Sequence, residues 1–126
     1  METPEDHAVL AKRFIDAVEA GDIETVGSIY AAEAEIWHNN GQRTESRDQN
    51  LATMRKFIGF APTRHYTKRK ITPFPDGFLH QHVIVADATS GERIELAACI
   101  VCKVVDGKIV RLEEYIDSAP IASWKR

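Results

Sequence analysis

The chain has 126 residues, 44% hydrophobic and 28% charged, with sixteen Lys and Arg against nineteen Asp and Glu for a formal charge of −3. That is room for one domain, over 1–126, whose core needs no disulfide or metal staple. The acidic balance excludes a general nucleic-acid footprint, and no apolar run approaches the ~20 residues that span a bilayer, so neither nucleic acid nor membrane is an expected partner. Residues 1–6, Met-Glu-Thr-Pro-Glu-Asp, are acidic and lack the basic and apolar regions of a signal peptide, so a cytoplasmic protein is expected.

The first half reads as helical. Between Glu5 and Ala20 the apolar residues Leu10, Ala11, Phe14, Ile15 and Val18 recur at three- and four-residue steps, which predicts an amphipathic helix. Gly21 suits its end and Asp22 can cap the next helix, which carries Ile23, Val26, Ile29 and Tyr30 on one side. Residues 34–38 predict a short strand, and Asn39-Asn40-Gly41 a turn. Ser46-Arg47-Asp48-Gln49 has the spacing of a capping box, so a third helix starts there, with Leu51, Met54, Phe57 and Ile58 as its stripe.

The second half reads as strands. They are expected over 64–74, 78–88, 92–105 and 108–116, with turns at Pro75-Asp76-Gly77, Ser90-Gly91 and Asp106-Gly107. Helices first and an antiparallel meander afterwards predict an α+β domain with the helices across one face of a strongly curved sheet. A pocket for a small ligand belongs between the two layers. Cys99 and Cys102 lie three apart on one strand, on opposite faces and ~10 Å apart, too far for a disulfide. They read as two small buried side chains. The basic run 64–70 reads as an edge strand whose lysines discourage pairing with other chains.

Four places could carry chemistry. His38, in Trp37-His38-Asn39, points opposite to its neighbours and reads either as a pocket imidazole or as a strand-end histidine. His80 and His82 share a face with Phe78 and Ile84, and two imidazoles ~7 Å apart on an apolar face suit proton transfer near neutral pH. They also fit the outer, solvated side of the sheet. Glu113, Tyr115 and Asp117 share a parity at the end of the last strand, and a carboxylate there could orient a histidine or hold a water. Asp117 also fits a turn before Ser118. No phosphate-binding loop, dinucleotide fingerprint, nucleophile elbow or zinc-protease motif is present, so nucleotide-cofactor chemistry is not suggested, and a metal, which His80 and His82 could hold only with a third ligand such as His38 or Asp117, is not expected.

The stretch from Thr3 through Ala20-Gly21-Asp22-Ile23 to Tyr30-Ala31, then 34–39 and 106–117, resembles the ketosteroid isomerase and SnoaL-like polyketide cyclase group of the nuclear transport factor two-like superfamily. The resemblance covers almost the whole chain. It implies a cone of three helices on a curved mixed or antiparallel sheet, a deep apolar pocket and a homodimer. By the same resemblance Phe14 stands where the steroid isomerases carry an oxyanion-donating tyrosine, His38 at their base, and Ile100 or a neighbour at their second donor. Against the related limonene epoxide hydrolases, Trp37 stands at a water-holding Tyr, Asn39 matches the Asn, Asp117 matches the sheet-end Asp, and His80-Gln81-His82 replaces an Arg-x-Asp motif. SnoaL-like cyclases use a pocket Asp and no cofactor, and Asp117 is the residue most like it.

The resulting expectation is a cofactor-independent enzyme of isomerase, cyclase or epoxide-hydrolase type acting on a small apolar molecule. His82 or His38 would be the acid/base and Asp117 its orienting or water-holding partner. Trp37, Asn39, His80, Tyr115, Phe14 and Tyr30 would shape the pocket. The rival expectation is a non-catalytic binding or dimerisation module of the same fold. A protein-binding subunit ranks below both.

Overall fold

The computed structural model describes residues 2–121. Helix α1, Pro4–Ala20, starts where expected because Thr3 and Asp6 cap each other reciprocally: the Asp6 amide donates to Thr3 Oγ1 and the Thr3 amide to Asp6 Oδ2. Gly21, at φ 72°, ends it in the left-handed region. Asp22 then caps α2, Ile23–Ile29. Tyr30 does not extend that helix: it is extended (φ −71°, ψ 137°) and opens strand β1, Tyr30–His38. The strand is thus four residues longer at its start than alternation alone suggests. The reason is tertiary, since Tyr30 already pairs with Ile109 on a distant strand. Residues 39–42 turn the chain into β2, Arg43–Ser46, which the sequence did not announce: of its four residues only Glu45 is buried. Ser46 ends β2 and caps α3, Arg47–Phe60, through the expected box with Gln49.

Strands β3 (Thr63–Phe74), β4 (Gly77–Asp87), β5 (Arg93–Val105) and β6 (Lys108–Ile116) complete one mixed sheet in the order β2-β1-β6-β5-β4-β3. Every neighbouring pair is antiparallel except β1 and β6, which run parallel. Asp106 and Gly107, at φ 52° and 74°, make the β5–β6 hairpin turn with both central residues in the positive region. The three helices lie on one face, α1 against β3 and β4 and α3 against β1 and β2, so the α+β architecture is the one expected.

The core lies between these layers. Phe14, Ile15, Val26, Ile29, Phe78 and Ile109 anchor it, none more than 2% exposed. Phe14 meets Tyr30 edge to face, with ring centroids 5.6 Å apart. The basic run does form the sheet edge, with a bulge between Thr67 and Lys70 and Lys68 at φ 53°. Two of its arginines do more than shield it. Arg64 is buried and donates to the carbonyls of Ala61, Pro62 and Glu19, while Arg69 pairs with Asp16 and Glu19. Both tie α1 to the edge strand. Both cysteines are free thiols, Cys102 buried and Cys99 only half-buried. Among the described residues no helix is long and apolar enough to cross a membrane.

Gly77 is required by close approach. A Cβ built there would stand 1.8 Å from the Cys102 carbonyl oxygen, and backbone cannot move aside as a flexible side chain does. Gly77→Ala is expected to lower stability by about 2–3 kcal/mol through this clash, read as the urea midpoint. An unchanged midpoint would show that the β4–β5 pairing tolerates a local shift.

Candidate active site

Between helices and sheet lies a cavity of about 210 Å³. Its apolar walls come from α1 (Phe14, Ile15, Val18), α3 (Met54, Phe57) and the inner strand positions Ile36, Ile84, Leu96, Ile100 and Leu112. Polar groups enter at few points: His38 and Glu114, Asn50 and Thr53, Tyr30 and Tyr66, Asn40 and Arg43, and His82. Drug-sized ligands occupy roughly 300–1,000 Å³, so this hollow suits a smaller molecule.

The polar centre is His38, the last residue of β1. Its register partner on β6 is Glu114, whose Oε1 lies 2.8 Å from His38 Nδ1. On the other side β2 sets Glu45 diagonally across from His38, with Oε1 2.6 Å from Nε2. Glu45 is 6% exposed but fully engaged. Thr53 donates to its Oε2 at 2.5 Å and Asn50 to its Oε1 at 3.2 Å, from positions one turn apart on α3. Tyr30 donates in turn to Asn50 Oδ1 at 2.9 Å.

A neutral imidazole has one N–H, whereas two carboxylates face both nitrogens of His38. Only the imidazolium satisfies both. The hydrogen bond to Glu114 pushes the His38 pKa up, burial opposes it, and Glu45 adds to the rise. Burial pushes Glu45 up, but hydrogen bonds from Thr53, Asn50 and His38 outweigh it and hold its carboxyl below the usual range. The geometry and these shifts together favour the protonated form of His38 beside an ionised Glu45. Glu114 Oε2 has no hydrogen-bond partner among the described residues, which leaves it available to a ligand.

The second feature is the pair on β4. His80 and His82 meet through their Nδ1 atoms at 2.8 Å, with His80 fully buried and His82 on the cavity wall. Burial lowers both pKa values to about 4, helped for His82 by His80 and for both by Arg69. Both are neutral at pH 7. Tyr66 covers the His82 ring at a centroid distance of 5.2 Å.

These shifts predict how stability depends on pH. The unfolded imidazole titrates near 6.5. Between pH 6.5 and about 4 the unfolded chain binds protons that folded His80 and His82 refuse, so stability falls on acidification across that window. One such imidazole contributes on the order of 3 kcal/mol to the fall. His38 has the opposite sign: its contribution is complete below 6.5 and is lost as pH rises through its elevated folded value. Thermal midpoints should thus peak near neutrality. His82→Asn should flatten the acid limb, and an acid limb as steep as in the unsubstituted chain would contradict the assignment.

The nine sequence candidates divide. His38, His82, Phe14 and Tyr30 line the cavity. His80 stands behind His82 and is not on the wall. Trp37 and Tyr115 stack on each other at 5.3 Å on the outer face of the sheet, at strand positions opposite in parity to His38 and Glu114. Asn39 is a strand clamp, exchanging hydrogen bonds with the backbone of Ile116. Asp117 is exposed and accepts from the Ala119 amide, as a turn residue does. It therefore cannot orient either histidine. The carboxylates that do so are Glu114 and Glu45. Glu114 had a readable signal, because Leu112-x-Glu114-x-Ile116 puts it on the apolar face. Glu45, in a four-residue strand without alternation, had none.

Three helices closing one face of a six-stranded mixed sheet over a small, mostly apolar cavity make up the fold of solved nuclear transport factor two-like proteins. Within that class the SnoaL-like domain matches residues 11–112, and the chain belongs to this family. Solved structures agree on the fold. AclR from Streptomyces galilaeus, a hydroxylase candidate, superposes with a TM-score of 0.86 at 14% identity, over 97% of this chain and 85% of that one. IdmH from Streptomyces antibioticus, a polyketide cyclase candidate, gives 0.81 at 19% identity over 97% of both chains. A protein of ketosteroid isomerase-like fold from Catenulispora acidiphila DSM 44928, solved in complex with trimethylamine, gives 0.79 at 12% identity over 90% of this chain and 89% of that one. No protein of curated function matches the sequence.

Proposed function

We propose that the cavity is the active site of a cofactor-independent enzyme that moves a proton on, or adds water to, a small, mostly apolar molecule. The observation that carries this reading is the His38 ring clamped between Glu45 and Glu114 in the same hollow as His82. Glu114 Oε2 is the base, or the group that holds a water. His38 keeps that carboxylate aimed, and Glu45, Asn50 and Thr53 hold His38. Glu114 pairs with Ile100 and His82 with Ala98, so base and donor stand two strands and two residues apart. That is about 12 Å between Cα atoms, room for a small ring once both side chains reach inward. In an isomerisation or cyclisation the proton leaves a substrate carbon for Glu114 Oε2 and returns to another atom of the same molecule, while a substrate oxygen accepts a hydrogen bond from His82. In an epoxide opening the water oxygen bonds one ring carbon as Glu114 takes the water's proton, that carbon's C–O bond breaks, and the released oxygen, hydrogen-bonded to His82, is protonated by solvent to which Glu114 then returns its proton. A positioned base contributes about 10²–10⁴-fold in either case.

A binding module without turnover is the second reading, favoured by Phe14 and Ile100, which put hydrocarbon on two cavity walls. Turnover assays on cyclic enones, lactones and epoxides, with native mass spectrometry of the purified chain, separate the two. Turnover of one class supports the enzyme. A retained small molecule with no turnover of any class supports the module. The half-exposed Trp37–Tyr115 patch on the outer face of the sheet is the surface through which we expect two copies to pair, and sedimentation equilibrium tests it.

A further inference from the structure

We propose that His80 is a positioning residue: it donates from Nδ1 to His82 Nδ1 and so holds His82 as the tautomer whose remaining N–H, at Nε2, serves an acceptor oxygen of the cavity's ligand. The purpose of this arrangement rests on the acid/base reading above, but the tautomers themselves do not depend on it.

Two Nδ1 atoms 2.8 Å apart need one proton between them, with one ring donating and the other accepting. A second proton on the pair would place a cation in a sealed site near the Arg69 guanidinium, so both rings stay neutral. The direction of the bond then follows from the far nitrogens. His80 is 0% exposed, and its Nε2 is buried with no hydrogen-bond partner among the described residues. If His80 were the acceptor, its own proton would sit on that Nε2, giving an orphaned N–H sealed from water. Buried orphan donors are rarer than under-satisfied acceptors. If His80 donates from Nδ1, Nε2 keeps only a lone pair, and the cost is smaller.

The same choice places the proton of His82 on its own Nε2. His82 lines the cavity, and among the described residues only its Nδ1 has a protein partner. A water or a ligand oxygen can therefore accept from Nε2–H. The rings cannot easily exchange roles by turning over: His82 is held between the Tyr66 ring at 5.2 Å and the His80 ring at 4.9 Å. A neutral imidazole N–H polarises an acceptor oxygen without passing it the proton, as neutral histidines do at other enzyme sites. The wall opposite the Glu114 carboxylate thus becomes a donor surface. A ligand presenting an acceptor oxygen there is favoured over one presenting a hydroxyl donor.

The test is spectroscopic and needs no substrate. Long-range ¹H–¹⁵N correlation spectra of the full chain, labelled at histidine and recorded at pH 7, distinguish protonated from bare ring nitrogens. The expected result is a protonated Nε2 with a bare Nδ1 for His82, and the reverse for His80. A protonated Nδ1 on His82 overturns the proposal. His80→Asn keeps an amide nitrogen near the place of Nδ1, whereas His80→Leu has the same outline and no donor. His80→Asn should keep the His82 signature. His80→Leu should move the two His82 nitrogen shifts toward each other as the tautomers mix. Unchanged shifts in His80→Leu would also overturn it, because His80 would then be packing and nothing more. If the tautomers are as stated and no enone, lactone or epoxide turns over, the positioning role stands and the enzymatic reading fails by itself.

Discussion

Glu114→Gln is expected to lower turnover of an accepted substrate by about 10²–10⁴-fold, the contribution of a positioned proton acceptor. The substitution keeps the volume of the side chain, and a carboxamide oxygen can still accept from His38 Nδ1–H, the bond now 2.8 Å long. What disappears is the charge and the ability of the free oxygen to take a proton. Circular dichroism and the urea midpoint should therefore change little while kcat falls. Asp117→Asn is the matched control. Asp117 is exposed and, among the described residues, its carboxylate engages the Ala119 amide alone, so the rate of its variant should stay within about twofold of the unsubstituted chain, the range of a surface change that touches no reacting group. Rates that fall with Asp117→Asn and survive Glu114→Gln would reverse the assignment of the base.

Glu45→Leu is expected to cost about 3–5 kcal/mol of stability, the usual penalty for removing one partner of a buried ion pair. Glu45 is 6% exposed and accepts from His38, Asn50 and Thr53, so its loss strands a cation, an amide and a hydroxyl at once. For a chain of this size the thermal midpoint should drop by roughly 10–15 °C. A second substitution discriminates between causes. In Glu45→Leu/His38→Leu the cation is gone as well, and an apolar pair of similar volume often restores stability. The double variant should thus melt above Glu45→Leu alone, a non-additivity that a double-mutant cycle measures. Additive losses would mean that His38 and Glu45 contribute separately and that the imidazolium is not what Glu45 serves.

The second prediction concerns a carboxylate that no local pattern marks and the first one that only its alternation with Leu112 and Ile116 marks, whereas much of the framework was legible. The Thr3 and Ser46 capping boxes, the Gly21 helix end and the Asp106-Gly107 hairpin are chemistry among residues two to four apart. The same holds for the β4 alternation that put His82 on the inner face. Strand β2 was not legible, because four residues with one buried side chain give no period to read. The extension of β1 back to Tyr30 was not legible either, since its cause is a partner strand almost eighty positions away.

Sequence by itself determined where the three helices begin, where α1 ends, where the chain reverses, and that histidines occur on an apolar strand face. These are settled by interactions within a few residues, and they survive whatever the rest of the chain does. Only the tertiary structure decided which acids meet His38. That meeting needs the parallel β1–β6 register to bring Glu114 from 76 residues away, and the β1–β2 turn to bring Glu45 from seven. A shift of one residue in either register turns the carboxylate to the opposite face. Alternation with Leu112 and Ile116 tells Glu114 from Glu113, but which residue Glu114 meets is decided by the sheet as a whole.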